Sequence, residues 1–232
     1  LVDNAQGTLV VTGVTGPSGG PFSVNYTYTL KDNVLTHSVQ GDDDTVNGPL
    51  FVVSATDATG DVGTGNLQVV ISDDAPTANN DADSAVEGVF TPVTGNVITG
   101  LGTTGGAGGA GADVKGADDA AVSQVVGFNG STDSNPSGGF TVTGQYGNLT
   151  MGPDGEYSYT LTAASVPVGA TDVFTYTLKD GDNDTDPATL TINIGQDTRT
   201  PVLTIGNATV DEEGLPVRGS EPAGSAAAGD SE

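Results

Sequence analysis

Short segments with alternating apolar and polar positions recur along the whole chain. They lie at residues 8–12, 22–30, 51–55, 66–71, 140–143, 148–151, 156–161, 173–178 and 189–194. A period of two is typical of half-buried β-strands, and almost nothing in the chain has helical periodicity. The Asp-Gly pair inside residues 153–156 favours a tight hairpin. The pattern therefore predicts an all-β chain of tandem β-sandwich modules with Ig-like or cadherin-like topology.

The two halves of the chain are related by a constant offset of 123 residues. Matching pairs are Phe51 with Phe174, Asp57 with Asp180, Asp61 with Asp184, Leu67 with Leu190, Ile71 with Ile194, and Asp74 with Asp197. The segment TYTLKD also occurs twice, at residues 27–32 and 175–180. A fixed offset of this kind indicates tandem modules. We predict the C-terminal part of a module at 1–73, a complete module at 74–197 and the start of a third at 198–232.

The charge balance is strongly acidic. The 232 residues contain 5 Lys plus Arg against 30 Asp plus Glu, for a formal net charge of -25. Nucleic acids and anionic membranes attract basic surfaces, so we expect neither as a partner. No apolar run is long enough to span a bilayer, so we expect no membrane insertion. Cysteine is absent, which excludes disulfides, and a start at Leu1 instead of Met favours a fragment of a longer protein.

An acidic turn follows the strand-like segment at 173–178. Asp180, Asp182, Asp184 and Asp186 alternate with other residues there, so their carboxylates repel one another unless a cation or water compensates them. Calcium takes six to eight oxygen ligands, many of them carboxylates. The turn is either a calcium site or a solvated hairpin tip that resists edge-to-edge aggregation. The repeat places Asp57 and Asp61 in the corresponding turn of the first module.

A second group of acids surrounds Pro76 in the linker between modules. Its members are Asp73, Asp74, Asp81, Asp83 and Glu87. The same plan of acids around a linker recurs with Asp197, Pro201 and Glu212. Repulsion among these acids would splay the joint, so we favour shared calcium over a solvated polar linker.

Other conspicuous segments have simpler interpretations. GDDDT at 41–45 is interpreted as a solvated loop, and GGAGADVKG at 108–116 as a flexible loop. The single histidine, His37, has no cysteine or serine motif beside it, so we expect no enzymatic activity. The tyrosine pairs at 26/28 and 157/159 are interpreted as strand residues of a sandwich, although sugar stacking stays an alternative.

Two stretches resemble known families. Residues 146–194, with a Gly-x-Leu-Thr strand, an Asp-Gly hairpin, paired tyrosines and an acidic turn, resemble the VCBS-type, cadherin-like repeats of giant bacterial surface proteins. Residues 24–78 are similar to the long repeats of type I-secreted agglutinins in the RTX adhesin group. The resemblance implies calcium-binding β-sandwich extender modules, and it also likens the Asp/Asn-rich linker to cadherin joints that share calcium.

These observations lead to one expectation and two alternatives. We expect a structural extender of a large, type I-secreted adhesin at the cell surface, rigidified by calcium. Its partners would be neighbouring repeats of the same chain, while other domains of the protein would bind host or biofilm glycans. The alternatives are a module that binds glycan or protein directly, and a filament subunit that assembles by strand exchange.

Overall fold

In the computed structural model, the described residues are 1–17, 20–31, 45–103 and 111–206, and they form an almost entirely β structure. The first five strands are β1 (Val2–Asp3), β2 (Gly7–Thr15), β3 (Ser23–Leu30), β4 (Thr45–Thr56) and β5 (Val62–Ser72). The next five are β6 (Asp81–Val86), β7 (Val93–Asn96), β8 (Ala120–Val126), β9 (Thr132–Asp133) and β10 (Phe140–Thr143). The last four are β11 (Gly147–Met151), β12 (Glu156–Leu161), β13 (Thr171–Asp180) and β14 (Thr185–Gly195). The predicted all-β sandwich class is confirmed.

Strands β6 to β14 build a sandwich of two sheets. One sheet has the order β10-β11-β12-β7, and the other has the order β6-β14-β13-β8-β9. Strand β6 is parallel to β14, and the other pairs are antiparallel. Buried side chains from both sheets form one hydrophobic cluster, in which Phe140, Tyr159 and Phe174 are fully buried. Tyr157 and Tyr159 belong to this core, which confirms the structural interpretation of that pair.

The period of two in β13 carries an acid into the interior. Phe174, Tyr176 and Leu178 point inward, and the next inward position is Asp180. Because alternate residues of a strand share a face, burial of the apolar side chains also buries Asp180. The acidic turn therefore begins at the end of the core instead of projecting wholly into water.

Strands β1 to β5 repeat the geometry of part of this sandwich. Phe51 pairs with Leu67 in β4 and β5, and Phe174 pairs with Leu190 in β13 and β14, which preserves the offset of 123 residues. The turns match as well, since Gly60 has φ 95° and Asn183, which lies 123 positions later, has φ 93°.

A packing detail extends the match to β2 and β3. A Cβ on Gly7 would lie 2.5 Å from the Tyr28 ring, and a Cβ on Gly147 would lie 2.5 Å from the Tyr159 ring. Each of these tyrosines also contacts a phenylalanine with ring centroids 6.0 Å apart. Strands β2 to β5 therefore resemble strands β11 to β14.

We call strands β1 to β5 the first sandwich and strands β6 to β14 the second sandwich. The apolar side chains of the first sandwich are much more exposed to solvent than those of the second. Within the described residues, β4 and β5 form a two-stranded sheet, whereas β13 and β14 lie inside a sheet of five. Val52 and Val70 are 70% and 59% exposed. An open apolar groove of about 640 Å³ lies between the two hairpins and is lined by residues such as Leu9, Phe22 and Leu67.

Residue contacts separate Leu1–Asp197 from Thr198–Glu232. Within the second of these units, the described residues 198–206 form no strand. The predicted division at residue 73 stays a prediction.

Candidate metal centre at the joint

Carboxylates from three separate parts of the chain meet where β5 ends. One ligand oxygen from each of Asp73, Asp182 and Asp184 lies within 4.8 Å of the others. A second group, formed by Asp118, Asp180 and Asp182, meets the same limit of 4.8 Å. Asp182 belongs to both groups, so the two are continuous. We call these five residues the joint cluster.

The β13–β14 turn is built by hydrogen bonds to its own first acid. Asp180 Oδ1 accepts hydrogen bonds from the backbone N–H groups of Asn183, at 3.0 Å, and Asp184, at 2.7 Å. Asn183 accommodates the turn by adopting a φ of 93°, a value that asparagine tolerates better than most residues. These bonds leave Asp180 Oδ2 buried and without a hydrogen-bond partner.

The loop before β8 brings Asp118 to the turn. Asp118 Oδ2 accepts a hydrogen bond from the Asp182 N–H at 3.1 Å, and Asp118 Oδ1 is buried without a hydrogen-bond partner. A Cβ on Gly181 would lie only 2.8 Å from Asp118 Oδ2, so this approach needs glycine. Buried acceptors that lack donors are uncommon in proteins, and a bound cation is one way to satisfy them.

Asp74 fastens the same loop to the linker. Its Oδ2 accepts a hydrogen bond from Ala117 N–H at 2.7 Å. A Cβ on Gly116 would lie 2.9 Å from that oxygen, and Gly116 has φ 79°. Asp74 thus holds the chain that carries Asp118, and it acts beside the joint cluster without belonging to it.

Within the joint cluster, the surroundings of Asp180 oppose its ionisation. Burial, followed by the nearby charge of Asp118, raises the pKa of Asp180 to about 6. Two unit charges 4.8 Å apart, the limit within each group, repel by roughly 3.5 kcal/mol at an effective dielectric constant of 20. The oxygen-only donor set, with its high negative charge, could hold a metal ion of the hard class.

Acids of the two groups defined along the sequence, the linker and the acidic turn, come together in the joint cluster. Asp73 comes from the linker group, whereas Asp180, Asp182 and Asp184 come from the acidic turn. Asp118 was not among the predicted residues. It lies two positions before β8, and the antiparallel pairing of Ala120 with Asp180 places it beside the turn.

Three other acids of the linker group lie elsewhere in the second sandwich. Asp81 contacts the Tyr176 hydroxyl, and Asp83 accepts a hydrogen bond from the Tyr157 hydroxyl at 2.7 Å. Glu87 Oε1 accepts a hydrogen bond from the backbone N–H of Val166 at 3.1 Å.

The remaining predicted ligands are also outside the joint cluster. Asp197 donates its backbone N–H to Glu87 Oε2 at 3.4 Å, and Asp186 Oδ2 accepts from Ala78 N–H at 2.8 Å. Asp57 and Asp61 share a turn of their own, in which Asp57 Oδ1 accepts from Asp61 N–H at 3.0 Å. Glu212, His37 and the acids of GDDDT lie outside the described residues.

Comparisons with known proteins leave the sequence resemblance as a prediction, since no family model and no curated protein matches the chain. Among the described residues, no helix has both the length and the apolar character needed to cross a membrane.

Proposed function

We propose that this chain is a structural extender whose consecutive β-sandwich modules are clamped by calcium at their joint. One observation carries the proposal. Asp73, which directly follows the last strand of the first sandwich, shares an oxygen cluster with Asp182 and Asp184 of the second. A cation held by these residues would connect both sandwiches through bonds that neither could make alone.

Calcium suits this cluster better than a smaller divalent ion. Calcium accepts six to eight oxygens in variable geometry, whereas magnesium demands a near-ideal octahedron and keeps several waters. Two groups of three carboxylates, which share Asp182 and come from three separate segments, supply many oxygens. Binding to the folded state alone would then add to stability in proportion to the logarithm of the calcium concentration.

The same chemistry would make rigidity depend on the compartment. Where calcium is scarce, repulsion among the acids loosens the joint, which suits export of the chain before it stiffens. Outside the cell, millimolar calcium neutralises the cluster and couples ion binding to folding. Such a dependence of rigidity on calcium would suit an extracellular adhesin segment, secreted by a type I system, that acts as a spacer and not as an enzyme.

Calcium titration of the purified chain tests the proposal. Small-angle scattering and thermal unfolding are measured in EDTA, in magnesium and in calcium. We expect calcium to raise the melting temperature and to narrow the distribution of interatomic distances, with magnesium having a much weaker effect. Identical melting and scattering curves in all three solutions would refute the calcium clamp.

A second function, assembly by strand exchange, is favoured by the uncovered first sandwich. Within the described residues, β4 and β5 have no further strand beside them, and Val52 and Val70 are exposed. Open strand edges bind added strands through main-chain hydrogen bonds. Sedimentation velocity over a range of concentrations tests this, since a strictly monomeric chain would exclude it.

A further inference from the structure

A second pair of buried acids lies inside the second sandwich, apart from the joint cluster. Asp81 in β6 is 2% exposed, and Asp113 in the loop before β8 is 9% exposed. The Tyr176 hydroxyl lies between them, 3.2 Å from Asp81 Oδ2 and 3.1 Å from Asp113 Oδ2. The same hydroxyl is 2.8 Å from the carbonyl oxygen of Asn79. A single tyrosine proton therefore faces three acceptors and can satisfy only part of their demand. Two other donors help, since Asn79 N–H lies 2.7 Å from Asp113 Oδ1 and the Thr103 side chain hydrogen-bonds Asp81.

Another buried acid of the same sandwich shows how the fold satisfies a carboxylate with protein donors. Asp172, also 2% exposed, accepts hydrogen bonds from Gln145 N–H at 2.7 Å, from Tyr146 N–H and from the Tyr159 hydroxyl at 2.7 Å. Asp81 differs, because its Oδ1 is buried without a hydrogen-bond partner. A buried carboxylate oxygen that lacks a donor needs another source of compensation.

The charges around the pair strengthen this need. Burial, and then the charge of Asp113, raises the pKa of Asp81 to about 6. Burial also raises the pKa of Asp113 to about 6, and the charge of Asp186 adds to that effect. The charges that raise these two pKa values thus come from other carboxylates. Above pH 7 both carboxylates are mostly ionised, so two like charges share a site with very little access to water.

We propose that Asp81 and Asp113 hold a second divalent cation of the hard, calcium-like class inside the second sandwich. Their neighbours are also oxygen donors, since the Asn79 carbonyl and the Tyr176 hydroxyl lie against the pair. Oxygen donors of mixed type with two carboxylates are typical of calcium coordination. The cation joins β6, the loop before β8 and β13, so it stabilises the module itself and not the joint.

Calorimetric titration of calcium into metal-free protein tests this site. The variants Asp81→Asn and Asp113→Asn keep the size of each side chain and remove one charge. We expect each to bind one calcium fewer than wild type while circular dichroism shows a folded β protein. Glu156→Gln is the matched control, because it removes a charge from an exposed position of β12 and should leave the calcium count unchanged.

The joint variant Asp182→Asn separates this inference from the proposed clamp. Loss of one calcium in Asp81→Asn supports the inner site whatever Asp182→Asn does. An unchanged calcium count in Asp182→Asn would overturn the clamp and not the inner site. An unchanged number of bound calcium ions in folded Asp81→Asn and Asp113→Asn overturns the inner site. A proton shared by the two carboxylates would then neutralise the pair. Terbium titration of wild type and of Tyr176→Phe decides the matter where both variants misfold. Tyr176 contacts both acids, so tyrosine-excited terbium emission that falls in Tyr176→Phe supports the site, and emission that is absent or unchanged overturns it.

Discussion

Removing the charge of Asp182 should stabilise the protein without metal and weaken its response to calcium. Asp182 has two carboxylate neighbours in each oxygen group of the joint cluster, within 4.8 Å. Each fully ionised pair at that distance costs roughly 3.5 kcal/mol at an effective dielectric constant of 20. Solvent screening lowers the total repulsion energy. Partial protonation lowers it too, as the raised pKa of Asp180 indicates. We therefore expect Asp182→Asn to increase the metal-free free energy of unfolding by about 2 to 4 kcal/mol.

The calcium response should change in the opposite direction. A single site with a Kd of about 10⁻⁴ M adds roughly 2.7 kcal/mol at 10⁻² M calcium. That gain corresponds to an increase in melting temperature of about 5 to 11 °C for a chain of this length. A loss of affinity of about 100-fold on removal of one charged ligand would leave about 0.4 kcal/mol of the gain.

Differential scanning calorimetry in EDTA and in 10⁻² M calcium measures both changes. Glu156→Gln again serves as the control, since it removes the same charge from an exposed position of β12. Its calcium-dependent increase should equal that of wild type. A cation at Asp182 is refuted if Asp182→Asn melts below wild type in EDTA and keeps the full increase in calcium. The carboxylate would then stabilise the fold by hydrogen bonding and would bind no ion.

Three further predictions concern the joint, the pH dependence and the packing. Asp73→Asn should leave both sandwiches folded but broaden the distance distribution from small-angle scattering in calcium, and an unchanged distribution would show that direct packing fixes the joint. Burial raises the pKa of Asp81 and Asp113 to about 6 from 3.8, so the folded state binds more protons between these values. Metal-free protein should thus melt higher at pH 5 than at pH 7.5, and a flat profile would contradict the raised values. Gly147→Ala places a methyl group 2.5 Å from a tyrosine ring and should cost about 1 to 3 kcal/mol in chemical denaturation, whereas Gly65→Ala, whose added Cβ would contact nothing within 4 Å, should cost less.

The alternating pattern predicted the strands whose inward positions are apolar. The paired strands β13 and β14, the Asp-Gly hairpin between β11 and β12, and the repeat offset of 123 residues all appear in the structure. In these strands every second side chain enters the core, so the sequence alone reveals both the strand and its buried face.

Strands with polar or irregular inward positions did not stand out in the sequence. Strand β6 directs Asp81 and Asp83 inward, which reverses the expected order of polar and apolar positions. Strand β8 buries Val122 and then Val125, because the pairing with β13 shifts register between Thr177 and Leu178. A bulge of this kind disrupts the period of two.

The order of strands in the sheet explains why the residues of the candidate metal centre were only partly predicted. Sequence spacing groups acids that are neighbours along the chain, whereas the joint cluster gathers acids from the ends of β5 and β13 and from the loop before β8. Asp118 becomes a neighbour of Asp180 only through the β8–β13 pairing. Long-range strand order of this kind is not encoded in local spacing, so Asp118 carried no signal of its own.

The two acidic turns have the same backbone geometry but different surroundings. Asp57 and Asp180 occupy equivalent positions, and each donates its backbone N–H to the carbonyl of the acid four residues later, at 3.0 and 3.1 Å. Their ionisation nevertheless differs. Hydrogen bonds from the Thr59 hydroxyl and from backbone N–H groups lower the pKa of Asp57, whereas burial and the charge of Asp118 raise that of Asp180. The turn itself is thus a stable anionic hairpin. The Asp180 turn differs because β8 pairs beside it and the loop before β8 adds the carboxylate of Asp118, surroundings that disfavour the charged form unless a cation compensates it. The turn at Asp57 should therefore bind calcium far more weakly than the turn at Asp180. Equal calcium affinity would require a strand like β8 paired with β4.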